Sequence, residues 1–171
     1  MWRLAFGLWA GLSMSTEAQV IDTFGAGAES RWRYIADGVM GGVSTGTAAL
    51  DGGALRLAGT VSTKNNGGFI QVRRALDGLG GEALVLRVRG NGARYTVFLR
   101  TGQGRRPWHN YKAFFTAGAE WSDVRLPFAS FERSNAVLDE RLDPADVISV
   151  GIAAYGTDYE ADVWVDEVRA E

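Results

Sequence analysis

The 171 residues include no cysteine and one histidine, His109. The first absence excludes a disulfide framework, thiolate metal sites and a thiol nucleophile. The second excludes any multi-histidine metal centre. Proline is scarce, at three residues. Net charge is scarce as well: 18 Lys and Arg stand against 20 Asp and Glu, a formal balance of -2. That argues against a nucleic-acid or anionic-membrane binder held by bulk charge. What abounds is glycine, at 23 residues, against a usual share of roughly 7%. The chain is 46% hydrophobic and 22% charged, as globular proteins are, and shows no internal repeat. So much glycine in such a chain points to many turns between short elements rather than to a helical bundle. The length suits one domain with its own core.

Residues 1–18 stand apart. Arg3 precedes an uncharged apolar run at 4–12, and small Thr16 and Ala18 follow at the spacing a signal peptidase reads. The run is too short to span a bilayer. The segment reads as a secretory signal cleaved near Ala18, which would place the mature protein in the periplasm or outside the cell. Otherwise it is an N-terminal arm of a cytoplasmic protein.

From Val20 onward the hydrophobic period is two. In 84–89 the residues Leu84, Leu86 and Val88 share one face, and Arg87 and Arg89 point the other way. Asn91-Gly92 follows, and then Tyr95, Val97 and Leu99 share a face, so 84–100 reads as a hairpin. Further strands are expected at 20–24, 32–36, 54–58, 68–73, 111–116, 122–126, 147–154 and 162–169. Gly-rich or polar breaks separate them. Asp143-Pro144 offers a cap and a proline-tolerant first position, so a single helical turn is expected near 143–147. The pattern implies an all-β sandwich or barrel forming one domain over 20–170.

Charge is segregated along the chain. Residues 83–119 carry seven basic side chains and no acid, whereas 134–171 carry ten acids and two bases. The two stretches are expected to be neighbours that screen each other; the sharper reading is a basic face that meets an acidic ligand.

Catalytic constellations are weak. His109 lies in a loop-like stretch, and no Gly-x-Ser-x-Gly elbow is present. Asp158 with Glu160, and Asp162 with Asp166, form carboxylate pairs of the kind a glycosidase needs, but a solvated acidic edge is the simpler reading. The glycines of 37–44 lack both the dinucleotide spacing and the P-loop lysine. No catalytic residue, cofactor or metal is expected. No loop carries a calcium ligand series, although jelly rolls of this kind often hold a structural calcium. Trp108, Tyr111 and Tyr155 lie beside polar or Gly-rich loops, where they read either as core anchors or as stacking platforms for a sugar.

Several blocks line up in order: Trp32-x-Tyr34-Ile35-x-Asp37-Gly38-Val39-Met40-Gly41-Gly42-Val43-Ser44, then Asn65-Asn66-Gly67-Gly68-Phe69, then Arg89-Gly90-Asn91-Gly92-x-Arg94-Tyr95. Arg100, Tyr111-x-Ala113-Phe114 and Trp121-x-x-Val124-x-Leu126-Pro127-Phe128 come after them. In this order they resemble the complex I intermediate-associated protein 30 (CIA30) family over about 20–170. Asn91 stands where the family usually has Asp. The resemblance implies a galactose-binding-like jelly-roll β-sandwich and a non-catalytic role, since mitochondrial members act as assembly chaperones for NADH:ubiquinone oxidoreductase. The expected function is thus a monomeric module that binds a protein partner. Its candidate binding surface comprises Asp37, Met40, Ser44, Asn65, Asn66, Phe69, Arg94, Tyr95, Arg100, Trp108 and Tyr111. The alternative is an exported carbohydrate-binding module on the same fold.

Overall fold

Alternation places every second side chain on one face of a strand, and two sheets that bury such faces against each other make a sandwich. That architecture is present in the computed structural model, which describes residues 17–171. Residues 1–16 of the expected signal segment lie outside the described residues. In chain order the strands are β1 (Gln19–Asp22), β2 (Arg33–Ala36), β3 (Thr45–Asp51), β4 (Ala54–Val61), β5 (Phe69–Ala75), β6 (Ala83–Gly90), β7 (Arg94–Thr101), β8 (Tyr111–Thr116), β9 (Ser122–Pro127), β10 (Glu132–Arg133), β11 (Val147–Tyr155) and β12 (Tyr159–Ala170). The first sheet runs β3-β4-β12-β6-β9, with β1 also paired to β12. The second runs β10-β8-β7-β11-β5-β2. Every pairing is antiparallel, as in a jelly roll.

The core lies between the sheets. Leu55, Leu57, Leu84, Leu86, Val88, Val163 and Val165 enter from the first sheet. Ile70, Val72, Tyr95, Val97, Leu99, Phe115, Val150 and Ile152 meet them from the second. A shift of register between Val165 and Glu167 switches the inward parity of β12, so Val168 and Ala170 also point to the core. The expected helical turn is present as a 3-10 turn at Pro144–Asp146, and the Asp143 carboxylate accepts from the Ala145 N–H at 2.9 Å.

Two expectations need correction. Residues 84–100 do not form a hairpin, because β6 and β7 belong to different sheets. Both edges of β6 are taken by β12 and β9, and both edges of β7 by β8 and β11. Asn91-Gly92 therefore reverses the chain across the sandwich. The Asn91 N–H donates to the Asp162 carbonyl at 3.1 Å, and the Gly92 N–H to the Ala117 carbonyl at 2.7 Å. The strand β3 was also missed. It pairs with β4 through the Gly52-Gly53 turn, and its Thr-Gly-Thr-Ala-Ala run carries little apolar contrast between its two faces.

Candidate functional site

The two Gly-rich blocks at 37–44 and 65–69 meet around one buried carboxylate. Both are crossovers: 37–44 leads from β2 in the second sheet to β3 in the first, and 62–68 leads back from β4 to β5. Asp37 accepts from the Ser44 N–H at 3.0 Å, the Ser44 hydroxyl at 2.5 Å, the Gly68 N–H at 2.6 Å and the Phe69 N–H at 3.3 Å. Burial alone would raise the Asp37 carboxyl; the Ser44 hydroxyl and these backbone donors outweigh it and hold it below its ordinary value. A Cβ on Gly42 would lie 2.3 Å from Asp37 Cγ, and one on Gly67 would lie 2.4 Å from Asp37 Oδ2, so both positions admit only glycine. Asn65 and Asn66 take left-handed φ values of 57° and 59°, which asparagine tolerates better than most residues. The blocks thus form a latch that fixes two crossovers, and Asp37 and Ser44 are internal to it rather than on the surface.

A second latch holds the crossover from β6 to β7. The Tyr95 hydroxyl donates to Asn91 Oδ1 at 2.6 Å and accepts from the Asp162 N–H at 2.9 Å, while Asn91 Nδ2 donates to the Glu160 carbonyl at 2.8 Å. Burial pushes the Tyr95 phenol up to about 12. Tyr95 is therefore a core residue, which removes it from the expected binding surface. Tyr111 is removed on the same ground: its ring is buried and its hydroxyl donates to the Asp139 carbonyl at 2.8 Å. Trp108, at 56% exposed, does lie on the surface, in the loop between β7 and β8.

The remaining candidates converge on the outer face of the second sheet, which the strand registers resolve into rows. One row crosses Arg33, Arg73, Gly151, Phe98 and Lys112. The next crosses Ile35, Gln71, Ala153, Thr96 and Phe114. Phe69 and Tyr155 pair beyond it, and Arg100 lies beside Ser149 at the opposite end. Side-chain geometry agrees with the registers. Phe98 and Tyr155 meet edge to face at 5.3 Å, and the Arg94 guanidinium lies 3.8 Å above the Phe114 ring. Gly151 and Ala153 make a small floor in mid-sheet, overhung by the larger side chains around it. A Cβ on Gly151 would come 3.1 Å from Gln71 Oε1.

This face is divided. Toward the Asp37 latch it is apolar: Phe69 and Tyr155, the latter 41% exposed, adjoin the crossover that carries exposed Val39, Met40 and Val43. Toward the other end it is cationic. Arg33 and Arg73 face each other directly on neighbouring strands. Burial, then the charges of Arg100 and Arg33, push the Arg73 guanidinium below its ordinary value. Among the described residues, none of Arg33, Arg73, Arg94, Arg100 and Lys112 forms an ion pair. Arg100 Nε is buried without a hydrogen-bond partner. Reading from the sequence found Phe69, Arg94 and Arg100 on this face and named Tyr155 as a platform. It missed Arg33, Gln71, Arg73, Phe98 and Lys112, whose signal was the parity opposite to the core residues of the same strands.

The outer face of the first sheet is built differently. Arg56, Trp164, Arg89, Trp121 and Arg87 stack in alternation, with guanidinium-to-ring distances of 5.0, 4.8, 5.1 and 5.6 Å. Asp162 takes both Arg56 donors at 2.9 and 2.8 Å, and Asp166 lies 3.3 Å from Arg87. Of the seven basic residues of 83–119, Arg87 alone forms an ion pair with an acid of 134–171 among the described residues, so the expected mutual screening of the two stretches is met at one pair. Of the carboxylates considered for acid–base work, Asp158 accepts from the Thr63 N–H and hydroxyl and Glu160 from the Thr60 hydroxyl, while Asp166, whose carboxyl burial pushes up, keeps its Oδ1 without a hydrogen-bond partner among the described residues. Among the described residues, no three metal-ligating side chains come together.

Two antiparallel sheets latched by these crossovers define a galactose-binding-like jelly-roll sandwich. The chain is similar in structure to the family 11 carbohydrate-binding module of a cellulosomal cellulase of Clostridium thermocellum, with a TM-score of 0.68 at 16% identity over 89% of this chain and 92% of that one. The same module in complex with a beta-1,3-1,4-mixed-linked tetrasaccharide gives 0.67 at 17% identity, over 89% and 94%. A family 29 carbohydrate-binding module gives 0.57 at 11% identity, over 90% and 86%. No curated protein matches the sequence. By sequence, the chain belongs to the Complex I intermediate-associated protein 30 (CIA30) family, which it matches over residues 23–162.

Proposed function

We propose that this chain is a non-catalytic binding module that holds a protein partner against the outer face of its second sheet, as an assembly factor does. The observation that carries the reading is the state of that face. Among the described residues its cations form no ion pair and its apolar end is exposed, while on the opposite sheet Arg56, Arg87, Arg125 and Arg169 each pair with a carboxylate. The family's name ties its members to an intermediate of complex I. The role needs no turnover, and Asp158, Glu160 and Asp162 are held by Thr63, Thr60 and Arg56. With residues 1–18 as a cleaved export signal, the partner lies in the cell envelope.

Affinity capture from the native source tests the reading. A stoichiometric protein is expected with the wild-type chain and with Arg125→Ala on the first sheet, and is expected to be lost with Tyr155→Ala. Equal capture by all three would overturn the assignment of the face.

A second reading rests on one observation: Phe69, Tyr155, Phe98 and Phe114 surround a small floor on a fold shared with carbohydrate-binding modules, one of them in complex with a tetrasaccharide. It makes the chain a carbohydrate-binding module. Glycan binding abolished by Tyr155→Ala or Trp108→Ala would favour it.

A further inference from the structure

We infer that Arg33, Arg73 and Arg100 form an anion site that takes the carboxylates of an acidic, aromatic-containing segment of the partner protein. The inference rests on the protein-binding reading and names the chemistry of that face. Arg33 and Arg73 are directly opposed across β2 and β5, where like charges are unfavourable unless something neutralises them. Arg100 approaches from β7 over the small side chains of β11, near enough for its charge to bear on Arg73. The three guanidiniums offer many N–H donors. Among the described residues they find only distant acceptors: Gln71 Oε1 for Arg73, and the Gly104 and Arg106 carbonyls for Arg100, each at 3.5 Å. Arg100 Nε finds none.

The face is rich in donors and poor in acceptors. Its other polar side chains, Gln71, Thr96, Thr116, Ser149 and Tyr155, donate as well as accept, and Glu132 at the β10 edge is its one carboxylate among the described residues. A carboxylate, which only accepts, fits this imbalance. A polyuronate fits it less well, because each of its hydroxyls also donates and needs an acceptor. The apolar end of the face lies four residues along the same strands, from Arg73 to Phe69, or about 13 Å, so the ligand presents acidic and apolar side chains within one short extended segment, as a polypeptide does. Residues 1–16 contain no acidic side chain, so that segment does not supply this charge complement.

Fluorescence anisotropy with the full chain tests the inference. The probes are a labelled peptide of glutamate with interspersed phenylalanine, its counterpart with glutamine at each glutamate, and labelled oligogalacturonate. The glutamate peptide is expected to bind at least about tenfold more tightly than either of the others. Arg73→Gln is expected to weaken it by about tenfold, and added salt to weaken it further. Arg33→Gln, on the exposed edge strand, gives the same readout should Arg73→Gln fail to fold. Equal binding of the glutamine peptide, preference for oligogalacturonate, or unchanged affinity in both arginine variants overturns the inference. Native-partner capture separates it from the broader reading. Capture lost in Tyr155→Ala but unchanged in Arg73→Gln removes the anion site and keeps the protein-binding face. Capture unchanged in both removes the face itself.

Discussion

Arg56, Arg87, Arg125 and Arg169 on the first sheet each sit against a carboxylate, and Arg89 is stacked between two tryptophans. Arg33, Arg73, Arg94, Arg100 and Lys112 on the second sheet form no ion pair among the described residues, although Glu132 stands across from Lys112. The two faces come from one fold and one chain of nearly balanced charge. Acids were available: ten lie in 134–171, and the strand that holds four of them, β12, packs into the first sheet. Charge was therefore distributed unevenly between the faces, and the uneven face also exposes Tyr155 and Phe114. Under the proposed function, the compensation for these cations comes from the carboxylates of the partner.

The largest way to break this contrast is to loosen the frame that holds the faces apart. Asp37→Ala leaves the Ser44, Gly68 and Phe69 donors without their acceptor, and is expected to cost about 3 kcal/mol or more by urea denaturation. A smaller effect comes through pH. Asp22 binds Arg31, Arg74, the Trp32 indole and the Phe24 N–H. Burial would raise its carboxyl, but these partners hold it well below the ordinary 3.8. A carboxyl depressed in the folded state contributes stability that is present above its unfolded value. That stability is lost as pH falls through the folded one. Denaturation midpoints are thus expected to fall from about pH 4 downward, and to fall less in Asp22→Asn.

The contrast is sharpened by paired variants. Arg73→Met removes a half-buried, unpaired charge, so it is expected to stabilise the free protein by about 1 kcal/mol, a rise in Tm of roughly 2–4 °C. The same variant loses affinity for the acidic peptide. Arg169→Ala, which breaks contacts to Asp123 and Glu167, is expected to destabilise by less than about 1 kcal/mol, since its partners are partly exposed. Calorimetry of both variants shows whether the two sheets respond with opposite signs.

Much of the frame was legible in the residues. Alternation located most strands within a few positions and put Tyr95, Val97 and Leu99 on one face, because a half-buried strand writes its sidedness into its sequence; that this face is the buried one, Tyr95 included, came from the structure. The pairing of strands was not legible. Asn91-Gly92 signals a reversal of the chain, but not which sheet the next strand joins. That choice depends on β12, about seventy residues later, which fills the edge of β6 that a hairpin would need. Within the Gly-rich blocks the signal was present but its meaning was not. Gly42 and Gly67 mark a close approach to the Asp37 carboxylate, which shapes turns instead of binding a ligand. The candidate face was hidden for another reason. Its residues are scattered over five strands and share only the parity that reads as solvent-facing.

Backbone amide shift mapping with the glutamate–phenylalanine peptide tests the central claim most directly. The account expects shifts along β2, β5, β7 and β11 that centre on Arg33, Arg73 and Arg100, with the Trp121 and Trp164 indoles of the first sheet unmoved. Shifts that centre on Trp121 and Trp164, with the second sheet silent, would contradict it.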